Sequence, residues 1–476
     1  MLDLIIENGR VVDPANGLDC VCDVGIAEGK IAAVGEGLAG CGSARVTYDA
    51  KGRLVMPGIV DMHTHMRTCE GHPHAQRMIA MAGVTTTLDM AGPLENILDS
   101  IPESGAGVNI AVLEAARAPL TISSNRPDAA ERASLIERTL EHGGLGIKLL
   151  GGHFPMDLDI SQAFIEECAE RRAWVAWHAG STVHGSNIEG MRDAVQAAQG
   201  HFLHLAHINS YCRGQVRDEV DEAQEAIELL KAHPNVFAES YLSPLNGTRL
   251  TIDPATDRPM SKVTVTCLTR FGFEATRQGI KAAILAGKAG VLYDDGRIGR
   301  LIYGQEGVDY WESRGTSIVG SFAVNPAASR LLLAQAKRSD GSFVVDSFST
   351  DGGCYPRNVI VENGLALVQF GALTLSEFVV KTSLNGARAL GLSDKGHLSV
   401  GADADISIAD LALRKAVSAL VGGRFILRDG VLTGSGTTIL CDARGRDYLT
   451  KRGIACAVVA PLEPKRITAR FVPAAA

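Results

Sequence analysis

Pro57-Gly58-Ile59-Val60-Asp61-Met62-His63-Thr64-His65 is the end of an apolar run that begins at Leu54. His63 and His65 are two residues apart, and on a β-strand such residues point to the same face. Both imidazoles can therefore bind one metal ion from a single strand, because imidazole nitrogen is a common zinc ligand. The stretch predicts a buried strand that carries a pair of metal-ligating histidines at its end.

Similar apolar runs alternate with helical patterns through the middle of the chain. Eight runs share this strand-like character: Leu54–Val60, Val84–Ala91, Val108–Leu113, Gly146–Leu150, Trp174–Trp177, His201–His207, Val236–Tyr241 and Phe343–Phe348. Amphipathic stretches such as Ile160–Arg172 and Asp218–Ala232 lie between most of them. Strands that alternate with helices favour a parallel sheet, and eight of them favour a (β/α)8 barrel. An open, doubly wound sheet is the second choice.

The two ends of the chain have a different pattern, in which short strands alternate with turns. The predicted short strands are Leu2–Glu7, Val11–Val12, Val21–Ala27, Lys30–Val34, Ala404–Ala409, Ala416–Val421, Arg424–Arg428 and Gly430–Leu432. Neither end alone has enough strands for a stable core, so we expect both to fold together as one small β-sandwich. The predicted bounds are residues 1–55 and 396–476 for this domain and 56–395 for the barrel.

One connection between the predicted barrel strands is far longer than an ordinary loop. Residues 243–341 separate the seventh and eighth runs and include helical stretches such as Thr276–Ala286. Such an insertion suits a lid over the mouth of the barrel. It suits an arm for packing or oligomerisation equally well, and the sequence favours neither.

Composition bounds the class of protein. The 476 residues are 46% hydrophobic and 21% charged, which suits one large core and a smaller one. The net charge of −8 is spread along the chain without a long run of one sign. We therefore expect no nucleic-acid partner and no membrane surface as a partner.

The expected location is the cytoplasm. The first residues, MLDLIIENGR, carry acids where a secretory signal carries basic residues, and no stretch approaches the length of a membrane helix. The ten cysteines are scattered from Cys20 to Cys456, which predicts reduced thiols and no disulfide framework.

Polar residues with metal-binding or basic side chains lie at the C-terminal ends of five predicted strands, where barrel enzymes keep their catalytic groups. They are His63, His65, Lys148, His178, His207 and Asp351. One histidine at a strand end is more often a core or rim residue than a ligand, and one buried lysine is more often part of an ion pair. Five coincidences at the same end of five strands reverse that expectation and predict a metal site.

These residues resemble the amidohydrolase superfamily, and the resemblance covers nearly the whole chain. It includes the split β domain, the PGIVDMHTHM segment at 57–66, and the segments Leu375–Leu392 and Lys395–Asp405. The last two are similar to the helix and returning strand of hydantoinases, dihydroorotases and N-acyl-amino-acid deacylases. The resemblance implies a metal-dependent hydrolase on a (β/α)8 barrel.

The resemblance also implies a ligand set. His63, His65 and Asp351 would hold the more buried of two divalent metals, and His178 and His207 the second. Lys148, carbamylated by carbon dioxide, would bridge them, since carbamylation turns a cationic amine into an anionic oxygen ligand. Zinc is the expected ion.

The implied reaction is hydrolysis of a C–N amide bond. Two metals can activate a shared water and polarise a carbonyl, while Asp351 serves first as general base and then as general acid. The substrate would be a cyclic amide of the hydantoin or dihydropyrimidine kind. Ile147–His153 and Thr350–Gly353 depart from the hydantoinase pattern, and the long insertion is closer to deacylases and to the hydrolytic subunit of formylmethanofuran dehydrogenase. Deacylation or deformylation of a linear N-acyl or N-formyl compound is therefore the alternative.

Several other polar residues near the mouth are weaker candidates. His153 could donate to the developing oxyanion, or it could simply pack in its loop. The candidates for substrate binding are Asn209, Tyr211, Tyr241 and Asn246, for which ordinary hydrogen bonding at the rim is the competing interpretation. His72 and His74 lie on the loop after the first strand, and solvated side chains are the simpler interpretation of both. Cys69 on the same loop could in principle be a ligand, as a cysteine is in some D-aminoacylases, but its position after His65 does not match that motif.

A non-enzymatic function is the remaining alternative. Oligomeric proteins of the dihydropyrimidinase-related kind have lost metal ligands, whereas this chain keeps all six candidate positions. We therefore expect an enzyme with a small-molecule amide substrate that assembles as a homo-oligomer, either a dimer or a tetramer.

Overall fold

The structure, a computed structural model, describes residues 1–38, 44–67, 73–464 and 470–472. Its first strands are β1 (Leu2–Asp13), β2 (Leu18–Ala27), β3 (Lys30–Gly35), β4 (Ala44–Asp49) and β5 (Leu54–Pro57). β1 pairs antiparallel with β2, and its other edge pairs first with β4 and then with β5. A register shift between Ile6 and Gly9 lets this one strand serve two parts of the sheet. The predicted pieces Leu2–Glu7 and Val11–Val12 are therefore one strand.

The barrel begins one residue after β5. Strand β6 (Ile59–His65) follows Gly58, where a Cβ atom would lie only 2.2 Å from the hydroxyl oxygen of Thr85. The predicted first barrel strand, Leu54–Val60, is wrong, because β5 pairs with β1 in the small domain and only β6 enters the barrel. The glycine marks the point at which the chain passes from one sheet to the other.

Parallel strands and outer helices follow in alternation. The next strands are β7 (Val84–Ala91), β8 (Ala106–Ala116), β9 (Gly146–Leu150), β10 (Trp174–His178), β11 (Leu203–Leu205) and β12 (Val236–Tyr241). The helices are α1 (Ala75–Met81), α2 (Leu94–Ser104), α3 (Ala129–Glu141), α4 (Leu158–Glu170), α5 (Ile188–Ala197) and α6 (Glu219–Ala232). Each strand from β6 to β12 pairs with its neighbour in sequence, so their C-terminal ends all lie at one mouth.

The long insertion is a folded unit with its own core. Its strands are β13 (Asn246–Arg249), β14 (Ile252–Asp253), β15 (Arg258–Pro259), β16 (Ala289–Asp294), β17 (Gly299–Ile302) and β18 (Val319–Phe322). Its helices are α7 (Lys262–Arg270), α8 (Arg277–Leu285), α9 (Gly304–Ser313) and α10 (Ala327–Gln335). Leu268, Ile280 and Trp311 pack in this core, whereas α10 packs against α6 of the barrel. The four-stranded sheet formed by β13, β18, β16 and β17 was not predicted from the sequence.

The eighth strand closes the barrel in two short pieces. β19 (Ser347–Ser349) pairs with β12, and β20 (Gly352–Gly353) pairs with β6. This strand begins later than the predicted run Phe343–Phe348. Asp351 lies between the two pieces in the left-handed region, with φ of 48°, so the backbone turns at this residue. The predicted barrel with a small β domain from both chain ends is confirmed.

The remaining chain returns to the small domain and then to the barrel. It contains α11 (Ile360–Gln369), α12 (Leu375–Val379), α13 (Asn385–Leu390), β21 (Ile406–Asp410), β22 (Lys415–Val421), β23 (Arg424–Arg428), β24 (Val431–Leu432), β25 (Gly436–Cys441), α14 (Arg446–Lys451) and β26 (Cys456–Val458). β21 pairs with β5, which joins the two chain ends in one sheet. β25 pairs with β8, so these last strands extend the barrel sheet and not the small domain. The exact domain bounds stay predictions.

Two expectations about cysteines and membranes can be compared with the structure. Cys354 is disulfide-bonded, so the prediction of reduced thiols throughout is wrong at this residue. Other described cysteines are free: Cys20, Cys22, Cys168, Cys212, Cys267, Cys441 and Cys456. In the described ranges, no helix has both the length and the apolar character required to span a bilayer. The cytoplasmic location stays a prediction.

Candidate metal centre

Two histidines of β6 and the aspartate of the eighth strand meet at the mouth of the barrel. The Nε2 atom of His65 lies 2.9 Å from Oδ1 of Asp351, and Nε2 of His63 lies 3.4 Å from the same oxygen. One ligand atom from each residue lies within 4.8 Å of the other two. Two imidazole nitrogens and a carboxylate oxygen are a donor set that fits a divalent metal such as zinc. We call these three residues the first cluster.

A buried arginine holds the carboxylate of Asp351. Nη2 of Arg357 lies 2.8 Å from Oδ2 of Asp351, which leaves Oδ1 facing the histidines. The guanidinium also lies over two aromatic rings, with its central carbon 5.1 Å from the ring centroid of Tyr241 and 5.0 Å from that of Tyr355. Burial alone would raise the pKa of Asp351, but the charges of Arg357 and the two histidines hold that pKa well below its usual range. Asp351 is therefore a carboxylate. A single arginine in a loop carries no sequence signal, and Arg357 was missed.

A second buried carboxylate, Glu239 of β12, orients the first cluster. It accepts a 2.6 Å hydrogen bond from Nδ1 of His63, another of 2.6 Å from the backbone N–H of His207, and one from the Ser349 hydroxyl. Because Nδ1 of His63 donates to Glu239, Nε2 is left free to face Asp351. Sequence reasoning missed this residue, although an acid within the apolar run Val236–Tyr241 was a usable signal.

The other two predicted ligands face each other. Nδ1 of His178 lies 3.1 Å from Nε2 of His207, and the His207 ring stacks on His63 at a centroid distance of 5.1 Å. Burial is the main reason that the pKa of both histidines is well below the usual value, so both are neutral. At 3.1 Å the two facing nitrogens can form one N–H···N hydrogen bond, or both can bind one cation. Nδ1 of His207 is buried without a partner. We call these two residues the second cluster.

Lys148 of β9 is nearly completely buried and lacks a counter-charge. Its amine donates to the thioether sulfur of Met90 at 3.0 Å, and no described carboxylate lies within 4 Å of it. A thioether is a weak acceptor, so an isolated ammonium here would be unfavourable. Burial lowers the pKa of Lys148 to about 8, against the attraction of Glu239 and Asp351.

Comparisons with known proteins agree with this arrangement. The model of the amidohydrolase family matches residues 324–435. A dihydroorotase from Streptococcus pneumoniae serotype 4 is 28% identical over 179 residues, which are 37% of this chain and 42% of that protein. The chain therefore resembles the amidohydrolase superfamily, and each of these two likenesses spans less than half of its length.

Solved structures extend the likeness to nearly the full length of the chain. The formyltransferase/hydrolase complex from Methylorubrum extorquens, solved with methylofuran, matches with a TM-score of 0.64 and 21% identity, over 97% of this chain and 100% of that one. A D-aminoacylase matches with a TM-score of 0.65 and 18% identity, over 93% and 100% of the two chains. At these identities the likeness concerns the fold.

The four residues predicted to bind substrate all have protein partners in the folded chain. The hydroxyl of Tyr211 accepts from the backbone N–H of Ala179 at 2.8 Å. Oδ1 of Asn209 accepts from the backbone N–H of Tyr241 at 3.1 Å, but its Nδ2 is buried without a partner. The Tyr241 hydroxyl and Oδ1 of Asn246 both accept from Arg213, at 3.1 Å each. These contacts favour the interpretation as rim hydrogen bonds, most clearly for Tyr211.

The predicted histidines outside the two clusters lie in different places. His153 is exposed, and its ring centroid lies 5.3 Å from that of His178. Nε2 of His74 lies 3.0 Å from Oδ1 of Asp294, so this residue contacts the insertion. His72 and Cys69 lie outside the described residues. A Cβ at Gly152 would lie 2.1 Å from Nε2 of His178, so glycine is required for the close approach of this loop to the second cluster.

Proposed function

We propose that this protein is a metal-dependent hydrolase that cleaves a C–N amide bond of a cyclic amide resembling a hydantoin or dihydropyrimidine. The observation that carries the proposal is the meeting of His63, His65 and Asp351 at the mouth of the barrel. The second cluster adjoins it through the ring stack between His63 and His207. The match of residues 324–435 to the amidohydrolase family and the likeness to a dihydroorotase support the same conclusion.

We assign two divalent metals to this mouth. His63, His65 and Asp351 would hold one, and the facing nitrogens of His178 and His207 would hold the other. Zinc suits both sets of ligands, and when bound it would activate a water molecule and polarise the amide carbonyl. At 3.1 Å these two nitrogens are close enough to bind the same ion, which is compatible with a metal at the second cluster.

Carbamylated Lys148 would complete the ligand set. The neutral amine would attack carbon dioxide, form a C–N bond and lose a proton, which leaves an anionic –NH–COO⁻ group. Burial lowers the pKa of Lys148 to about 8, so the nucleophilic neutral amine is accessible near neutral pH. The reaction would also remove a buried positive charge that has only a thioether for a partner.

Asp351 would move the proton. Its Oδ1 atom faces the histidines while Arg357 holds Oδ2, so the carboxylate is fixed in one orientation. It would take the proton that the attacking water loses and deliver it to the leaving nitrogen. His153, exposed beside the second cluster, is positioned to donate to the oxygen of the carbonyl as charge develops there.

Deacylation or deformylation of a linear N-acyl or N-formyl compound is the second candidate. The folded insertion favours it, because its residues Asn246 and Asn325 hold Arg213 beside the mouth, where it could meet a charged linear substrate. The predicted homo-oligomer, a dimer or tetramer, also stays a proposal, and light scattering would test it.

Metal analysis and a substrate panel test the proposed function together. Protein purified without chelator should contain divalent metal and should release acid from a hydantoin, a dihydropyrimidine or an N-acyl or N-formyl amino acid. Chelation should abolish turnover, and added zinc should restore it. His63→Asn should lose metal, whereas the matched variant His142→Asn, on the outside near Glu95, should keep it. Protein without metal and without turnover would support the non-enzymatic, oligomeric alternative.

A further inference from the structure

Arg213 is a buried arginine beside the proposed catalytic site that has only neutral partners. It lies just after the turn Ile208–Tyr211, which follows β11 and carries two of the predicted substrate residues. Its guanidinium donates to four oxygens from hydroxyl and amide groups, at 2.8 to 3.1 Å: Asn325 Oδ1, Ser210 Oγ, Tyr241 Oη and Asn246 Oδ1. Its Nη1 group makes none of these bonds.

The other buried arginines of the described chain have carboxylate partners. Nη2 of Arg132 lies 2.7 Å from Oε1 of Glu167, and Nη2 of Arg357 lies 2.8 Å from Oδ2 of Asp351. No described carboxylate lies within 4 Å of Arg213, although only 9% of this residue is exposed. A buried guanidinium without a counter-ion is unfavourable, so this position has an unmet requirement for negative charge.

Arg213 is close to the second cluster. Its Nη2 atom contacts the hydroxyl of Tyr241, and the Tyr241 ring lies 6.4 Å from the ring of His207. Burial is the main cause of the low pKa of His178 and His207, and the positive charge of Arg213 adds to it at both residues. The unpaired charge therefore acts at the place where the amide would be cleaved.

We propose that Arg213 binds a carboxylate of the substrate and makes the site specific for amides that carry a negative charge next to the scissile bond. This inference rests on the proposed function and narrows it. It selects N-acyl or N-formyl amino acids, or cyclic amides with a carboxylate on the ring, over neutral hydantoins and dihydropyrimidines. A guanidinium already held by four hydrogen bonds is preorganised, so little entropy is lost when the carboxylate binds.

Binding of a matched pair of ligands tests the inference without turnover. We would use N-methanesulfonylalanine and its primary carboxamide, in which the sulfonamide resists hydrolysis, and measure both dissociation constants by calorimetry on the metal-loaded enzyme. The wild-type protein should bind the acid about 10- to 100-fold more tightly than the amide, the usual effect of a charged hydrogen bond. Arg213→Gln should reduce this ratio to about one, and Arg213→Lys should keep part of it.

A second variant neutralises Arg213 without removing it. Asn246→Asp places a carboxylate on the hydrogen bond that Asn246 already accepts from Arg213, so it should also abolish the preference for the acid. Gln278→Glu adds the same charge on an exposed position of α8 and should leave the ratio at its wild-type value. Asn246→Asp decides the question if Arg213→Gln fails to fold.

Two outcomes would overturn the inference. The first is a wild-type protein that binds the acid and the amide equally tightly, or that binds neither of them. The second is a preference for the acid that survives in Asn246→Asp. Hydrolysis of matched acid and amide substrates is measured separately. If the binding preference is present but no substrate is cleaved, the proposed function is wrong, whereas the carboxylate-binding role of Arg213 is supported.

Discussion

The two clusters of the candidate metal centre differ in what holds them. In the first, His63 is fixed by Glu239, and Asp351 is fixed by Arg357, so the donors are oriented by hydrogen bonds and charges of the protein. In the second, His178 and His207 face each other, and the nearby Lys148 has only the sulfur of Met90. In the first cluster, Nδ1 of His65 is buried without a hydrogen-bond partner, but the other ligand groups are held by the protein. The imidazole rings of the second cluster contact each other and the hydroxyl of Ser186 but no described carboxylate, so this cluster should depend on a modification or an ion.

The largest expected effect is the loss of the second cluster on removal of the lysine. Lys148→Ala removes the amine that would carry the carbamate, so the protein should lose one metal and retain the other in the first cluster. Hydrolysis should fall by about 10⁴-fold or more, since metal stabilisation of charge is worth several kcal/mol. Metal content by mass spectrometry, together with kcat/KM, measures both effects.

Chemical rescue provides the control for this variant. Acetate or propionate added with zinc should restore part of the activity of Lys148→Ala, because a short carboxylate can supply the missing oxygens. The same acids should not change the wild-type rate. An alanine variant with full activity and full metal content would rule out the bridging role and with it the contrast between the clusters.

The next largest effect concerns proton transfer by the first cluster. Asp351→Asn has no basic group at neutral pH, so it should lower kcat by about 10²–10⁴-fold while a substantial fraction of the metal stays bound. The substitution also leaves Arg357 without a counter-charge, which should lower the free energy of unfolding by about 3–5 kcal/mol.

The double variant separates these two consequences. Asp351→Asn combined with Arg357→Gln should recover part of the lost stability in thermal unfolding but none of the lost kcat. If Asp351→Asn holds its metal and turns over at nearly the wild-type rate, another group moves the proton, and His153 becomes the first candidate.

A smaller effect should follow when the first cluster loses its orienting carboxylate. Glu239→Gln can still accept from His63 and from the His207 backbone, but it removes the negative charge. Metal affinity should fall by about 10- to 100-fold, as for other groups that orient a ligand from behind. Competition with a fluorescent chelator measures it. Glu167→Gln, which changes a buried pair on the outer helices, is the matched control and should leave affinity unchanged. If Glu239→Gln binds metal as tightly as Glu167→Gln does, Glu239 does not contribute to the metal site.

The sequence predicted those parts of the site that follow from local periodicity. The spacing of His63 and His65 on one strand placed both on one face, and the structure brings them to Asp351. Glu239 was missed because its partner, His63, is distant in sequence and is reached only when the barrel closes. Arg213 was missed for the same reason, since its acceptors Asn246 and Asn325 come from the insertion.

The errors in the fold have a similar cause. The run Leu54–Val60 is continuous in hydrophobicity, but its halves belong to different sheets, and hydrophobic periodicity does not record which strand is a neighbour. The sheet of the insertion pairs Asn246 with Phe322, so no short-range signal defines it. A short strand such as β25 has the same kind of sequence pattern in either domain, so the sequence does not show that it pairs with β8 of the barrel.

The smallest expected effect tests whether Lys148 depends on its sulfur contact. If the lysine carries a carbamate, Met90 only packs against it, and Met90→Leu should lower the free energy of unfolding by less than about 1.5 kcal/mol, as volume-conserving core substitutions do. Metal content and kcat should stay close to wild type. If the lysine instead stays a cationic amine, the leucine removes its one hydrogen-bond acceptor. The free energy of unfolding should then fall by about 1–3 kcal/mol. Thermal unfolding at a low and a high concentration of bicarbonate distinguishes the two states, because only the carbamate depends on dissolved carbon dioxide. A large loss of stability that bicarbonate does not change would mean that the second cluster, like the first, is held by the protein alone.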